Sequence, residues 1–361
     1  MGTRLLATLT AFSLLFTGTA VADVTQTSVD RKIVQEGLDE ITRLRAQGAQ
    51  VRVADGRDRF TARSGTAELN SSRPVPIIGR FRAGSVTKSF TSTVVLQLAG
   101  EGKVELDAPV DRYLPGLIDK RITVRQLLQM TGGLYNYTNS LSFDPEGFEE
   151  IRYKHWEPED LVAIATVKPL QFEPGTKWEY NNTNYVILGL LIEKVTGKQY
   201  EKVVGQRVLK PLHLNDTTFP GDDTNIHGPH AHSYGLVKGR PADTTYWNPS
   251  VFWAAGDVIS TTRDLDAYFS ALLTGRLLRP AQQAELTRTT PVSTEYGLGL
   301  FVEKAPCGTT IVGHPGGVPG SLTYAYQTPD LKRRVQFSAT DGLGTGDPTP
   351  AYEKLINEIF C

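Results

Sequence analysis

The chain has 361 residues, of which 40% are apolar and 21% charged. That is enough for one large core or two interlocked lobes, and too apolar for a disordered chain. With 38 basic against 39 acidic residues the formal net charge is −1, which gives no basis for a nucleic-acid or acidic-polymer partner.

The N-terminus, MGTRLLATLTAFSLLFTGTAVADVTQ, has the layout of an export signal. Arg4 is followed by an apolar run over residues 5–16, and Ala20-Val21-Ala22 forms an A-x-A cleavage site before Asp23. The run is too short to cross a bilayer, which takes roughly 20 residues. No cysteine near the cleavage site could carry a lipid. Residues 1–22 are therefore expected to be a signal peptide on a secreted protein without a membrane anchor.

Residues 29–47 place Ile33, Val34, Leu38, Ile41 and Leu44 at helical spacing. AQVRVADG and RFTARSGTAEL then read as two short strands. A helix is expected from near Ser85 to Gly100 and Gly102, and from about 105 to 275 the pattern is mainly helical. Four runs in the C-terminal part, YGLGLFVE, TTIVGHPG, SLTYAYQ and RRVQFSA, are spaced as an antiparallel meander, and AYEKLINEIFC closes the chain as an amphipathic helix. The expected class is α/β of the α+β kind. One antiparallel sheet is built from both ends of the chain (about 23–104 and 285–361), with a helical lobe (about 105–284) inserted between. Cys307 and Cys361 are the only cysteines. In an exported chain they are expected to pair, tying the last helix to the sheet and contributing about 4 kcal/mol in the chain-entropy model.

The stretch AGSVTKSFTS raises a chemical question, because Lys88 follows Ser85 by three residues at the start of a run of buried character. Residues three apart on a helix share a face. A serine is a weak nucleophile until a neighbour accepts its proton, and a partly buried lysine has its basicity lowered enough to do so. Ser85 is the only serine with a lysine three residues on, and its own N–H can form half of an oxyanion hole. Tyr-x-Asn occurs three times, at Tyr137, Tyr180 and Tyr246. The middle one sits where an extended segment turns into a long apolar helix, so Tyr180 and Asn182 are the favoured pair. A third element, VGHPGG, places His314 beside Gly316 and Gly317, where a substrate backbone could pair along a strand edge. Three histidines in HGPHAH (227–232) lie in a Pro/Gly loop with no acidic or cysteine ligand adjacent in sequence, and no metal site is expected. No serine has the G-x-S-x-G setting of an α/β-hydrolase.

Taken together, Ser85-x-x-Lys88, Tyr180-x-Asn182 and His314-Pro315-Gly316 resemble the serine β-lactamase and penicillin-binding protein superfamily. Within it they are most similar to secreted low-molecular-mass D-alanyl-D-alanine carboxypeptidases and class C β-lactamases. FRAGSVTKSFTS, ITVRQLLQMTGGLYNYTN, FEPGTKWEYNNTNY and AAGDVISTTRDL share the resemblance, which runs from about residue 30 to the C-terminus and also implies the disulfide. It implies that Ser85 is acylated, that Lys88 and Tyr180 move protons, and that Asn182, His314, Gly316 and Gly317 bind the substrate. The N–H groups of Ser85 and Gly317 would form the oxyanion hole. No metal or organic cofactor is implied, and the partner is a small acyl or peptide substrate taken up by a monomer.

The resemblance implies first of all a D-alanyl-D-alanine carboxypeptidase-like hydrolase, with a D-amino-acid amidase or esterase, an acyltransferase, a class C-like β-lactamase or a non-turnover penicillin-binding sensor as alternatives. Relatives that recognise a free terminal carboxylate commonly carry Thr directly after the His, Thr two residues further on, and Arg on the preceding strand. Here those positions are Pro315, Gly317 and Phe301, with Lys304 close enough to stand in. Weak handling of a free carboxylate is the expectation.

Overall fold

The computed structural model describes residues 28–361; the expected signal peptide lies outside them. Ala46–Asp55 and Asp58–Gly65 form a hairpin whose turn passes through Gly56 at φ +58°. Four later strands, Phe301–Lys304, Thr310–Val318, Ser321–Gln327 and Arg333–Asp341, form the meander. The hairpin joins it along the last strand to give one six-stranded sheet, with antiparallel pairing throughout. Strand alternation sorts the side chains. Val51 and Val53 stand opposite Phe337 and Val335 on one face, while Gln50 stands opposite Ser338 on the other.

The apolar outer face is covered by the helices Arg31–Leu44 and Thr349–Phe360. Val34, Leu38 and Ile41 from the first and Leu355, Ile359 and Phe360 from the last close a core over Val51, Val53, Val335 and Phe337. Each such side chain contributes about 1.5–3 kcal/mol by leaving water. Asp30 caps the first helix by accepting from the N–H of Lys32. Cys307 and Cys361 are joined in a disulfide, Cα atoms 5.7 Å apart, so the terminal helix is tied to the meander as expected.

The inner face carries the helical body. Its central pieces are Thr87–Gly100 and Asn182–Thr196, flanked by Pro158–Thr166 and Thr262–Leu273. The first two are buried on nearly every side, and neither shows a polar stripe. The stretch read as mainly helical also contains strands. Phe81–Arg82 pairs with Ile259–Ser260, and Tyr234–Val237 forms a hairpin with Arg240–Asp243. YGLGLFVE yields a strand only from Phe301, because the chain turns at Gly297–Leu300 with Gly299 at φ +91°. Among the described residues no helix is long and apolar enough to cross a membrane.

Candidate active site

Ser85 lies on a single 3-10 turn, Gly84–Val86, that runs straight into the helix Thr87–Gly100. Gly84 has φ +56°, and a Cβ there would lie 3.0 Å from the backbone nitrogen of Gly317. Only glycine meets both demands. Thr87 locks the turn, donating to the Gly84 carbonyl (2.7 Å) and accepting from the Val258 N–H (3.0 Å). Within an otherwise buried stretch Ser85 alone keeps some exposure.

Lys88 is fully buried. Its Nζ lies 3.0 Å from Ser85 Oγ, 2.7 Å from Asn182 Oδ1 and 2.7 Å from the carbonyl oxygen of Ala255. Burial holds its basicity well below that of a free lysine. An ammonium would donate to all three oxygens. The neutral amine has two hydrogens and one lone pair, and the Asn182 and Ala255 oxygens can only accept. Its hydrogens therefore go to those two, and the lone pair is left facing Ser85 O–H. Ala255 was invisible to the sequence reading, since a backbone carbonyl can belong to any residue type.

Asn182 is the first residue of the Asn182–Thr196 helix rather than part of an extended pair with Tyr180. Asn181 between them is the N-cap, accepting from the Thr183 N–H, and it donates to the Leu134 carbonyl. Both side chains still reach the site, by a strand-to-helix transition instead of strand alternation. The Asn182 amide is held with Oδ1 to Lys88, because its Nδ2 faces Thr138 Oγ1 at 3.3 Å and its N–H points to Asn136 Oδ1 at 3.2 Å. Thr138 and Asn136 were missed, although they flank Tyr137 of a triplet set aside as incidental. The Lys88 ammonium position is 4.9 Å from the Tyr180 ring centre. The Tyr180 hydroxyl is buried and faces Ser85 without a well-formed hydrogen bond. Burial keeps it a neutral phenol by raising its pKa, which the nearby Ser85 hydroxyl only partly offsets.

The strand Thr310–Val318 passes directly behind the Ser85 turn. A Cβ on Gly316 would collide with the carbonyl oxygen of Ala83, whereas Gly317 faces open space. His314 is fully buried, and both ring nitrogens have partners inside the protein: the Pro315 carbonyl at 2.5 Å and the Tyr296 hydroxyl at 3.2 Å. Burial above all pushes its pKa down to about 3. Phe301 packs against His314, Tyr180 and Tyr296, with ring centres 5.2, 6.5 and 4.7 Å away. Lys304 does not stand in for a cation here: it is exposed and donates to Thr310 Oγ1 at 2.6 Å.

The other candidates serve packing. Tyr137 donates to the Val251 carbonyl, and Asn248 caps a turn while donating to Asp222. Acidic neighbours do reach the histidine loop: His227 meets Asp223, four residues before it, at 2.6 Å, and His232 meets Asp243 at 2.7 Å. His232 also has Glu68 3.6 Å from its other ring nitrogen, yet among the described residues no group of three or more such side chains could hold a metal.

A serine and a buried amine against a glycine-lined strand, on this sheet with its helical body, define an acyl-transfer scaffold. The sequence matches the family described as Beta-lactamase over residues 31–351, and the chain belongs to that family. A penicillin-binding protein of Bacillus subtilis (strain 168) is 26% identical over 350 residues, which is 90% of this chain and 74% of that protein. Among solved structures, a D-stereospecific amidohydrolase from Streptomyces sp. superposes with a TM-score of 0.83 at 39% identity, covering 92% of this chain and 99% of the other. D-amino acid amidase from Ochrobactrum anthropi SV3 superposes with 0.79 at 26% identity, covering 91% and 97%.

Proposed function

We propose that this chain is an exported serine hydrolase that is acylated at Ser85 and prefers D-configured acyl compounds with neutral leaving groups, namely D-amino-acid amides and esters. The observation that carries the chemistry is the enclosed Lys88 Nζ, 3.0 Å from Ser85 Oγ and held by two oxygens that can only accept, so that once neutral its lone pair is left for Ser85.

Ser85 Oγ attacks the substrate carbonyl carbon while its proton passes to Lys88, and the oxygen of the tetrahedral adduct takes up negative charge. The N–H groups of Ser85 and Gly317 hold that charge. The bond to the leaving group then breaks, and the leaving nitrogen or oxygen takes a proton relayed from Lys88 through the Tyr180 hydroxyl. Water enters on the same path in reverse, giving up its proton as it attacks the ester, and Ser85 is regenerated.

The resemblance to D-alanyl-D-alanine carboxypeptidases favoured a free-carboxylate peptide. The leaving-group side supports the amide and ester reading instead. Phe301 stands where an arginine would pair a carboxylate, His314 is held neutral, and Pro315 and Gly317 bring no hydroxyl. Each missing charge-assisted hydrogen bond costs about 1.5–3 kcal/mol of carboxylate binding. The structural likeness to a D-stereospecific amidohydrolase supports the same substrate class.

The test compares kcat/KM for an acyl-D-Ala-D-Ala peptide and its C-terminal amide, with intact mass following the acyl-enzyme. The amide is expected to be at least as good a substrate, and Ser85→Ala to take up no acyl group. Preference for the free acid by tenfold or more would restore the carboxypeptidase reading. A mass shift without turnover on any substrate would make the protein a sensor.

A further inference from the structure

The buried contacts of His314 fix more than its burial. Nδ1 lies 2.5 Å from the carbonyl oxygen of Pro315, which can only accept, so Nδ1 carries a hydrogen. A neutral imidazole has one N–H. Nε2 is therefore an acceptor, and the hydroxyl 3.2 Å away on Tyr296 must donate to it. In water a neutral histidine side chain favours the opposite tautomer; which nitrogen keeps the proton is set by the partner of the other. Tyr296 has that role here. The Tyr185 oxygen lies 3.3 Å away and, with its own hydrogen on the Leu128 carbonyl at 2.9 Å, is the one competing acceptor near the Tyr296 hydrogen; Nε2 is the nearer of the two. Tyr185, Tyr296 and His314 are all within 1% of complete burial, so bulk solvent does not compete for these positions.

The Pro315 carbonyl belongs to the peptide unit just before Gly316. Rotation of that unit would move Gly316, which passes against Ala83 with no room for a Cβ, and with it the N–H of Gly317. Phe301 closes the relay from the side, its ring centre 4.7 Å from that of Tyr296 and 5.2 Å from that of His314.

We propose that Tyr296 is a positioning residue of the acyl-transfer site: by donating to Nε2 it keeps His314 as a neutral Nδ1–H donor to the Pro315 carbonyl, and so holds the strand that presents the Gly317 N–H. The consequence for activity rests on the function proposed above, but the tautomer does not. His314 thus acts from behind the strand through the backbone, and Tyr296 acts through His314.

The experiment is nitrogen NMR of the histidine side chains at pH 7, with the His314 signals assigned by their loss in His314→Gln. The wild type is expected to show His314 neutral and protonated at Nδ1. Tyr296→Phe keeps the ring and removes the donor. It is expected to move the proton toward Nε2 and to slow the acylation burst with p-nitrophenyl acetate about tenfold, a fraction of the loss expected when an oxyanion donor itself is removed. Tyr185→Phe, whose hydrogen goes elsewhere, should leave the tautomer unchanged. An Nε2–H or imidazolium form in the wild type overturns the proposal. So does a Tyr296→Phe protein with the wild-type tautomer and burst rate, or a Tyr185→Phe protein altered as much. Because the tautomer is read without turnover, a protein inactive on every D-aminoacyl compound would sink the proposed function and leave this result standing.

Discussion

The two faces of the sheet are both covered, yet they are built from opposite kinds of residue. The outer one, under the helices Arg31–Leu44 and Thr349–Phe360, is aliphatic and aromatic. The inner one, against the helical body, carries a row running Gln50, Ser338, Thr323, Gly316 in cross-strand register. Beside it runs a second row, Arg52, Gln336, Ala325, His314. Arg52 and Arg334 share Asp266 of the helix Thr262–Leu273. Gln50 Oε1, Gln336 Oε1 and Thr323 Oγ1 are buried with no hydrogen-bond partner, which suits bridging by ordered water. A sheet built for stability alone would have two faces like the outer one. The polar face is the one that ends at the nucleophile turn, so polarity was retained where the chemistry is and dropped where it is not.

That contrast is broken most severely by Phe337→Ala on the outer face. Phe337 is 3% exposed, and its loss should lower the unfolding free energy in a denaturant titration by about 3–5 kcal/mol. The burst rate of the protein that stays folded should be unchanged; a parallel loss of rate would mean that the faces are not independent. On the inner face the opposite result is expected. Gly316→Ala forces the strand away from Ala83 and should slow acylation by at least ~10²-fold, the scale of losing an oxyanion donor, while thermal stability falls far less than for Phe337→Ala.

These expectations also mark what the sequence made readable. Val51, Val53, Val335 and Phe337 alternate with polar residues, and that period of two announced the strands, though not that the hairpin joins the meander along its last strand. It equally well describes a sheet with one face in water, so nothing in it said that the helical body would cover Gln50 and Gln336. Ser85 and Lys88 were readable as neighbours because a spacing of three puts them on one helix face. Ala255, Thr138 and Asn136, which complete the surroundings of Lys88 and Asn182, were not. One contributes only a carbonyl, and the other two arrive from a loop distant in sequence. His314 was readable as a motif but not as a residue buried behind its strand, since that depends on Tyr296.

The smallest effect is expected at Asp257, in the helical body close to the Ala255 carbonyl. Its carboxyl is 1% exposed, and neither oxygen is partnered by another residue. Burial, reinforced by the charge of Glu201, raises its pKa well above the ordinary value. The folded state thus holds a proton that the unfolded chain releases near pH 4. The linkage sign follows: stability is greatest below that pH and falls as pH rises toward the folded-state pKa. Asp257→Asn removes the titration and should raise the melting temperature at pH 8 by ~2 °C, with a smaller gain at pH 5. An equal gain at both values would show that the carboxyl is already ionised in the fold.

Lys88 has one more consequence, for reagents rather than substrates. An amine held neutral at physiological pH is ordinarily the first in a protein to be acylated or alkylated by amine-directed probes. Here it is wholly enclosed, 3.0 Å from the partly exposed Ser85. The same packing that lowers its basicity also makes it the least accessible lysine among the described residues. Exhaustive modification of the surface lysines would leave the nitrogen that matters untouched.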